Sequence, residues 1–332
     1  MSKINMKQWV AGIMQSHQKT AIPIMTNPGI ELIGKTIYDA VTDGKVHHEA
    51  IAALHQRFPK SAALTVIMDL TVEAETFGAD IRFSKDEVPS VIGHLLDSPS
   101  AIENLQVPGL DAGRAQQYIL ANKLTVINNN TDKPVLSGCI GPFSLAGRLY
   151  DMSEIMVLCY IDPEATQRLL QKCTDFIIAY CSALKETGVN GIIIAEPAAG
   201  LLSNDDCLKF SSEYVKQIID KVQDEYFMVV LHNCGNTGHC TEAMVSSGAM
   251  GYHFGNKINM AAALADSPKD VLVMGNVDPV SVMKNGTSEE ILKTVSDLFE
   301  IAENYPNYVL STGCDVPPGI SFENIDAFYQ LV

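Results

Sequence analysis

Eight short apolar, β-branched runs recur along the chain, each followed by a helical pattern. They are AIPIMT (21–26), ALTVIMD (63–69), PVLSGCIG (134–141), GIIIAEP (191–197), FMVVLHNC (227–234), GYHF (251–254), VLVMGNVD (271–278) and YVLSTGCD (308–315). A strand with one wet face alternates polar and apolar residues. Runs this continuous therefore belong to strands buried on both faces of a parallel sheet. Parallel neighbours need a crossover, and eight strand–helix units predict an α/β fold of the (β/α)8 TIM-barrel type.

A length of 332 residues suits one such barrel, so 1–332 reads as a single domain. Two departures from a minimal barrel are expected. The leading segment 1–20 predicts a helical extension packed outside or beneath the barrel. The interval 70–132, between the second and third strands, is too long for one crossover and predicts an insertion of extra helices over the mouth. The stretch Asp162–Gly188 opens on Asp-Pro-Glu and closes on Thr187-Gly188, both helix-boundary signals. Within it Leu169, Cys173, Phe176, Ile177, Tyr180, Cys181 and Leu184 form one apolar stripe, which marks Cys173 and Cys181 as core.

Charge and cysteine usage narrow the function. A formal net charge of −16 excludes a phosphate-backbone binder, which needs clustered Lys and Arg. No apolar run is long enough to span a membrane, and the start has no signal-peptide pattern. The eight cysteines are scattered and fit reduced thiols in a cytoplasmic protein rather than a disulfide framework.

The chemistry-bearing side chains fall at the C-terminal ends of the expected strands: Asp69, Glu196, His232 with Cys234, Asp278, and Cys314 with Asp315. That is the catalytic face of a barrel. His232 and Cys234 are two apart at a strand end, so both point the same way. With Cys314 they make a Cys2His set, the ligand pattern of a catalytic Zn2+ that keeps one position open. A lone buried Cys or His is more often packing, and the case rests on the set. His239 and Cys240 are rival ligands in the same stretch. His47, His48 and His55 read as a solvated helix face, and Cys139, Cys159 and Cys207 as packing. Glu196 is costly to bury unpaired and is a candidate to touch the metal, accept a proton, anchor substrate or form a salt bridge. Asp278 precedes Pro279 and is read either as a helix cap or as a substrate contact.

The order GPFSLAGRL (141–149), GVNGIIIAEPAAG (188–200), HNCGN (232–236), MGNVDP (274–279) and STGCDVPPGISFENIDAF (311–328) resembles the uroporphyrinogen decarboxylase superfamily across nearly the whole chain. The HxC pair with a late Cys is similar to its zinc-dependent methylcobamide:coenzyme M methyltransferase branch. That resemblance implies a (β/α)8 barrel and zinc ligation by His232, Cys234 and Cys314. It also implies methyl transfer from a methylcobamide to a small thiol such as coenzyme M; Glu196 and Asp278, from their places at strand ends, are the candidate catalytic residues.

The decarboxylase branch carries an Arg-rich motif after its first strand, whereas TNPGIELIGKTIYDA (26–40) has no Arg here. An eight-carboxylate substrate would be poorly compensated in such a cleft. Gly313-Cys314 also stands where the decarboxylases resemble Gly-His. The chain lacks an Asp-x-His-x-x-Gly run for holding a corrinoid, so a separate corrinoid protein is the expected partner. A tetrapyrrole lyase and a noncatalytic corrinoid- or tetrapyrrole-binding protein are the alternatives.

Overall fold

Seven strands pair in parallel around a curled sheet. In a computed structural model describing residues 3–16 and 18–332 they are β1 (Leu64–Thr65), β4 (Val135–Ile140), β5 (Gly191–Ala195), β6 (Met228–Asn233), β7 (Gly251–Phe254), β8 (Leu272–Val277) and β9 (Tyr308–Thr312). Between β1 and β4, β2 (Ile81–Arg82) and β3 (Ser90–Val91) form a small antiparallel hairpin. Every residue of the seven strands is buried, which is why their sequences run apolar without alternation.

The run at 21–26, expected as the first strand, makes only a single bridge, Ala21 to Leu310. Its hydrogen bonds still reach both sheet edges: Ile22 N donates to Leu310 O, and Ala62 N to Ala21 O. Pro23 has no N–H to give a ladder, and Ile24 N turns to the Thr312 hydroxyl at 3.1 Å. The extended segment thus fills the gap between β9 and β1 without forming a regular strand.

The sheet separates two apolar clusters. Its outer face packs Ile192, Ile194, Val229, Leu231, Val273 and Leu310 against the helices. Its inner face brings Leu136, Ile193, Met228, Val230, Met274 and Val309 together with Met6 and Val10 of the helix Met6–Ser16. Within the leading segment 1–20, residues 1, 2 and 17 lie outside the described residues. The inward series on β6 reads Met228, Val230, His232, so the strand's two-residue period carries the imidazole to the end of the apolar column.

The segment 70–132 contributes the hairpin and three helices, Val72–Thr76, Pro99–Asn104 and Ala115–Asn128. A buried network ties it to the end of β1: Arg114 Nη1 meets Asp69 Oδ2 at 2.7 Å, and Arg114 Nε meets Glu75 Oε2 at 2.5 Å.

The histidines of the helix Gly44–Arg57 are not a solvated face. His47 is buried and its Nε2 accepts from Ile67 N, while His55 Nε2 accepts from Thr65 N. The imidazoles satisfy backbone donors that the two-residue β1 leaves without a ladder partner. The helix Pro163–Glu186 starts on an Asp162 cap to Ala165 N, and Cys173 and Cys181 lie in its buried stripe. Among the described residues no helix is long and apolar enough to cross a membrane.

Candidate metal centre

His232, Cys234 and Cys314 converge at the C-terminal ends of β6 and β9. Their donor atoms all lie within 4.8 Å of one another, with His232 buried and both cysteines half-buried. Two glycines permit the approach. A Cβ on Gly255, just after β7, would sit 2.6 Å from Cys234 Cα, and one on Gly313 would sit 2.5 Å from Asn256 N. Side chains at these positions would push apart the loops that follow β6, β7 and β9.

Hydrogen bonding selects which nitrogen His232 offers. The carbonyl of Ile22 can only accept, so Ser311 Oγ donates to it at 2.7 Å. The hydroxyl proton is then used, and Ser311 Oγ accepts from His253 Nε2 at 2.7 Å. His253 Nδ1 is left bare and accepts from His232 Nδ1 at 2.7 Å. His232 Nε2 is therefore the nitrogen free to bind. Burial, reinforced by His232, holds His253 well below the ordinary imidazole range, consistent with its neutral role in this chain. Sequence reasoning passed over His253 and Ser311. Each lies in an apolar strand run with no local motif, and only the β6–β7 register, His232 opposite His253, reveals the pair.

The neighbouring Cys314 thiol draws the Cys234 thiol down to about 7, against a smaller opposing effect of burial. Cys314 is pushed up in turn by Cys234 and by its partial burial. Two sulfurs and one imidazole nitrogen form a soft donor set close enough to share one ion, and zinc bonds such donors at about 2.0–2.3 Å. The set borders a cavity of about 200 Å3 that is also lined by Asp69, Arg148 and Asp315. The residues present fit a three-ligand zinc with one open side.

The other sequence candidates lie apart from this set. Cys139 and Cys181 approach each other at 3.9 Å in the core. Cys240 is buried with its sulfur toward Leu202 O, and His239 Nε2 bonds the same carbonyl. Neither joins the three ligands. Cys159 and Cys207 are buried in helical segments.

Glu196 and Asp278 do not line the cavity. Glu196 is buried and accepts from Ser144 N, Phe143 N and Ser211 Oγ, bridging the end of β5 to the start of the helix Pro142–Tyr150. Burial pushes its carboxyl up to about 7 although these donors oppose the shift. Its carboxylate makes no salt bridge among the described residues, and its link to the donor set is through the backbone, Glu196 N donating to His232 O at 2.8 Å. Asp278 caps the turn that follows β8, accepting from Val280 N and Ser281 N, and takes Asn256 Nδ2 on its other oxygen. Of its two readings, the cap is the one this geometry contains.

Comparison with known proteins agrees with this architecture. A model of the family described as Uroporphyrinogen decarboxylase (URO-D) matches residues 21–332. Two proteins named methylcobamide:CoM methyltransferase MtbA, from Methanosarcina acetivorans and Methanosarcina mazei, are 30% and 29% identical over 257 residues, covering 76% of this chain and 74% of each relative. A uroporphyrinogen decarboxylase of Alkalilimnicola ehrlichii is 29% identical over 292 residues, covering 83% of this chain and 78% of its own. Among solved structures, a methyltransferase from Methanosarcina mazei superposes with a TM-score of 0.88 at 23% identity, covering 99% of this chain and 98% of that one. A B12-independent methionine synthase from Shewanella sp. W3-18-1 superposes with a TM-score of 0.61 at 14% identity, covering 94% of each chain. Both likenesses are likenesses of fold.

Proposed function

Since the chain belongs to the uroporphyrinogen decarboxylase (URO-D) family, we propose that it is a zinc-dependent methyltransferase that moves a methyl group from a methylated corrinoid, carried on a separate protein, to a small thiol such as coenzyme M. The observation that carries this reading is the convergence of His232, Cys234 and Cys314 on one small cavity. The names of the two Methanosarcina relatives support the reaction class.

His232 Nε2 and the sulfurs of Cys234 and Cys314 would hold the metal. When bound, zinc supplies a Lewis acid that keeps an acceptor thiol ionised at neutral pH. The chain's own residues do the rest. The Ser311–His253 relay keeps His232 turned, and the apolar wall around Ile24 and Met68 excludes water from the acceptor sulfur. Glu196 and Asp278 are positioning residues in this reading: one anchors the helix behind the cavity and the other fixes the loop beside Asn256. The insertion 70–132 covers the mouth, and the presence of Val88 and Pro89 on the cavity wall supports this. We take 1–332 as one domain working in the cytoplasm, where its eight free cysteines would stay reduced.

The decarboxylase alternative meets an electrostatic obstacle. A macrocycle bearing many carboxylates needs several cations: among the described residues the cavity wall carries one, Arg148, and the stretch 26–40 has no Arg. The test is demethylation of methylcobalamin by the purified chain with a panel of thiols, followed by the loss of the methyl–cobalt spectrum. Thiol-dependent demethylation abolished by a chelator and restored by zinc is the expected result. Consumption of a tetrapyrrole carboxylate by chelated protein, with no thiol methylation, would contradict the proposal.

A further inference from the structure

Among the described residues the cavity wall carries one cation, and metal binding leaves it unused. Arg148, in the last turn of the helix Pro142–Tyr150, lines the same wall as His232, Cys234 and Cys314. Among the described residues its guanidinium makes no ion pair and no hydrogen bond, unlike Arg114 nearby, which is held by Asp69, Glu75, Thr71 and a backbone carbonyl. Burial lowers the Arg148 pKa from its ordinary value, and the fields of Asp69 and Glu73 only partly offset that cost.

Neither of those acids pairs with Arg148. Asp69 Oδ2 takes Arg114 and the Tyr118 hydroxyl, and its Oδ1 takes the backbone N–H and hydroxyl of Thr71. Glu73 accepts from Ile140 N on Oε1, and among the described residues its buried Oε2 has no hydrogen-bond partner and makes no ion pair with Arg148; burial pushes its carboxyl up to about 8, which favours the uncharged acid. The remaining acid on the wall, Asp315, is turned to Thr26 N at 2.7 Å and forms no ion pair with Arg148. A guanidinium desolvated without an anion is unfavourable, and its planar fork of donors matches an oxyanion. A cavity of about 200 Å3 has room for a small organic anion beside the three metal ligands.

We propose that Arg148 is a specificity-determining residue that binds the acidic group, carboxylate or sulfonate, of a small acceptor thiol whose sulfur lies at His232, Cys234 and Cys314. The sulfur end of this assignment rests on the thiol-methylation reading, while the anion end stands on Arg148 itself. The guanidinium forms no covalent bond. It pairs with the anion and fixes which end of the acceptor faces the metal ligands.

Two measurements separate these ends. The first is calorimetric titration of the purified chain with ethanesulfonate, propionate and ethanol, which carry no thiol and require no turnover. Wild type should bind at least one anion and not ethanol. Arg148→Met should weaken that binding by at least roughly 10-fold, and Arg148→Lys by less. The second is methylcobalamin demethylation with 2-mercaptoethanesulfonate, 3-mercaptopropionate and 2-mercaptoethanol. Wild type should favour one acidic thiol over the neutral one by at least roughly 10-fold in kcat/KM, and Arg148→Met should collapse that ratio.

The better of the two acidic ligands identifies the anion as sulfonate or carboxylate. Equal anion affinity in wild type and Arg148→Met, both melting alike, overturns the proposal. Equal use of acidic and neutral thiols by wild type also overturns it and leaves methyl transfer standing. Arg148-dependent anion binding without turnover of any thiol overturns the thiol reading and keeps the oxyanion site.

Discussion

His232 is held from behind by the relay and by the backbone carbonyl of His253, 3.2 Å from its Nδ1. The acceptor-only carbonyl of Ile22 orders the protons through Ser311 and His253 and so exposes Nε2 toward the two sulfurs. Removing a group that orients a metal-bound histidine typically costs about 10–100-fold in affinity. His253→Ala is therefore expected to weaken zinc binding by about that factor in a chelator competition. Unchanged affinity would show that the relay does not orient the ligand. Ionising the acceptor is only part of catalysis: a thiol of pKa about 8.5 is roughly 3% thiolate at pH 7, so full ionisation gains about 30-fold, near 2 kcal/mol. Typical enzymes lower barriers by at least about 8 kcal/mol, so alignment in the cavity must supply most of the rest. The His-x-Cys pair was legible in the sequence because a strand has a period of two. The roles of Glu196 and Asp278 were not, since the N–H groups that engage their carboxylates belong to turns whose geometry no local pattern announces.

At the scale of elements, the segment 70–132 is fastened to the end of β1 by the buried Asp69–Arg114–Glu75 network. Removing one partner of a buried pair leaves an uncompensated charge and costs about 3–5 kcal/mol. Arg114→Met should accordingly lower stability by about that amount in denaturant unfolding, because Asp69 is almost fully enclosed. A change under about 1 kcal/mol would place the network among weak surface pairs. The close approach at Gly255 makes a second claim on the loops. Gly255→Ala should destabilise the chain and reduce zinc retention together, because its Cβ would meet Cys234 backbone. Loss of stability with full zinc retention would uncouple that contact from the site. The strands from β4 onward stood out in the sequence as unbroken apolar runs. The run at 21–26 looked the same, but Pro23 and the Thr312 hydroxyl on β9, which accepts from Ile24 N, divert its backbone from a ladder. His47 and His55 were misread for a related reason: their partners are backbone N–H groups at β1, invisible to helix periodicity.

For the molecule as a whole, Glu73 links stability to pH. Burial raises its carboxyl from the ordinary 4.5 to about 8, so folding favours the acid form. The stability this provides is fully present below pH 4.5 and is lost as pH rises through 8, a swing of at most about 5 kcal/mol. Glu73→Gln should melt higher than wild type near about pH 8.5, with the difference narrowing toward about pH 5. A difference independent of pH would point to packing instead. The α/β class and the cluster of polar residues at strand ends were readable along the whole chain. The cavity was not, since it is made by loops meeting across the mouth.

The most direct test of the account is metal content: zinc per chain in protein purified without added metal, measured beside Cys314→Ala. The account predicts about one zinc per wild-type chain and its loss in the variant. Absence of zinc from wild type even after incubation with it, or full retention in Cys314→Ala, would contradict the three-ligand centre.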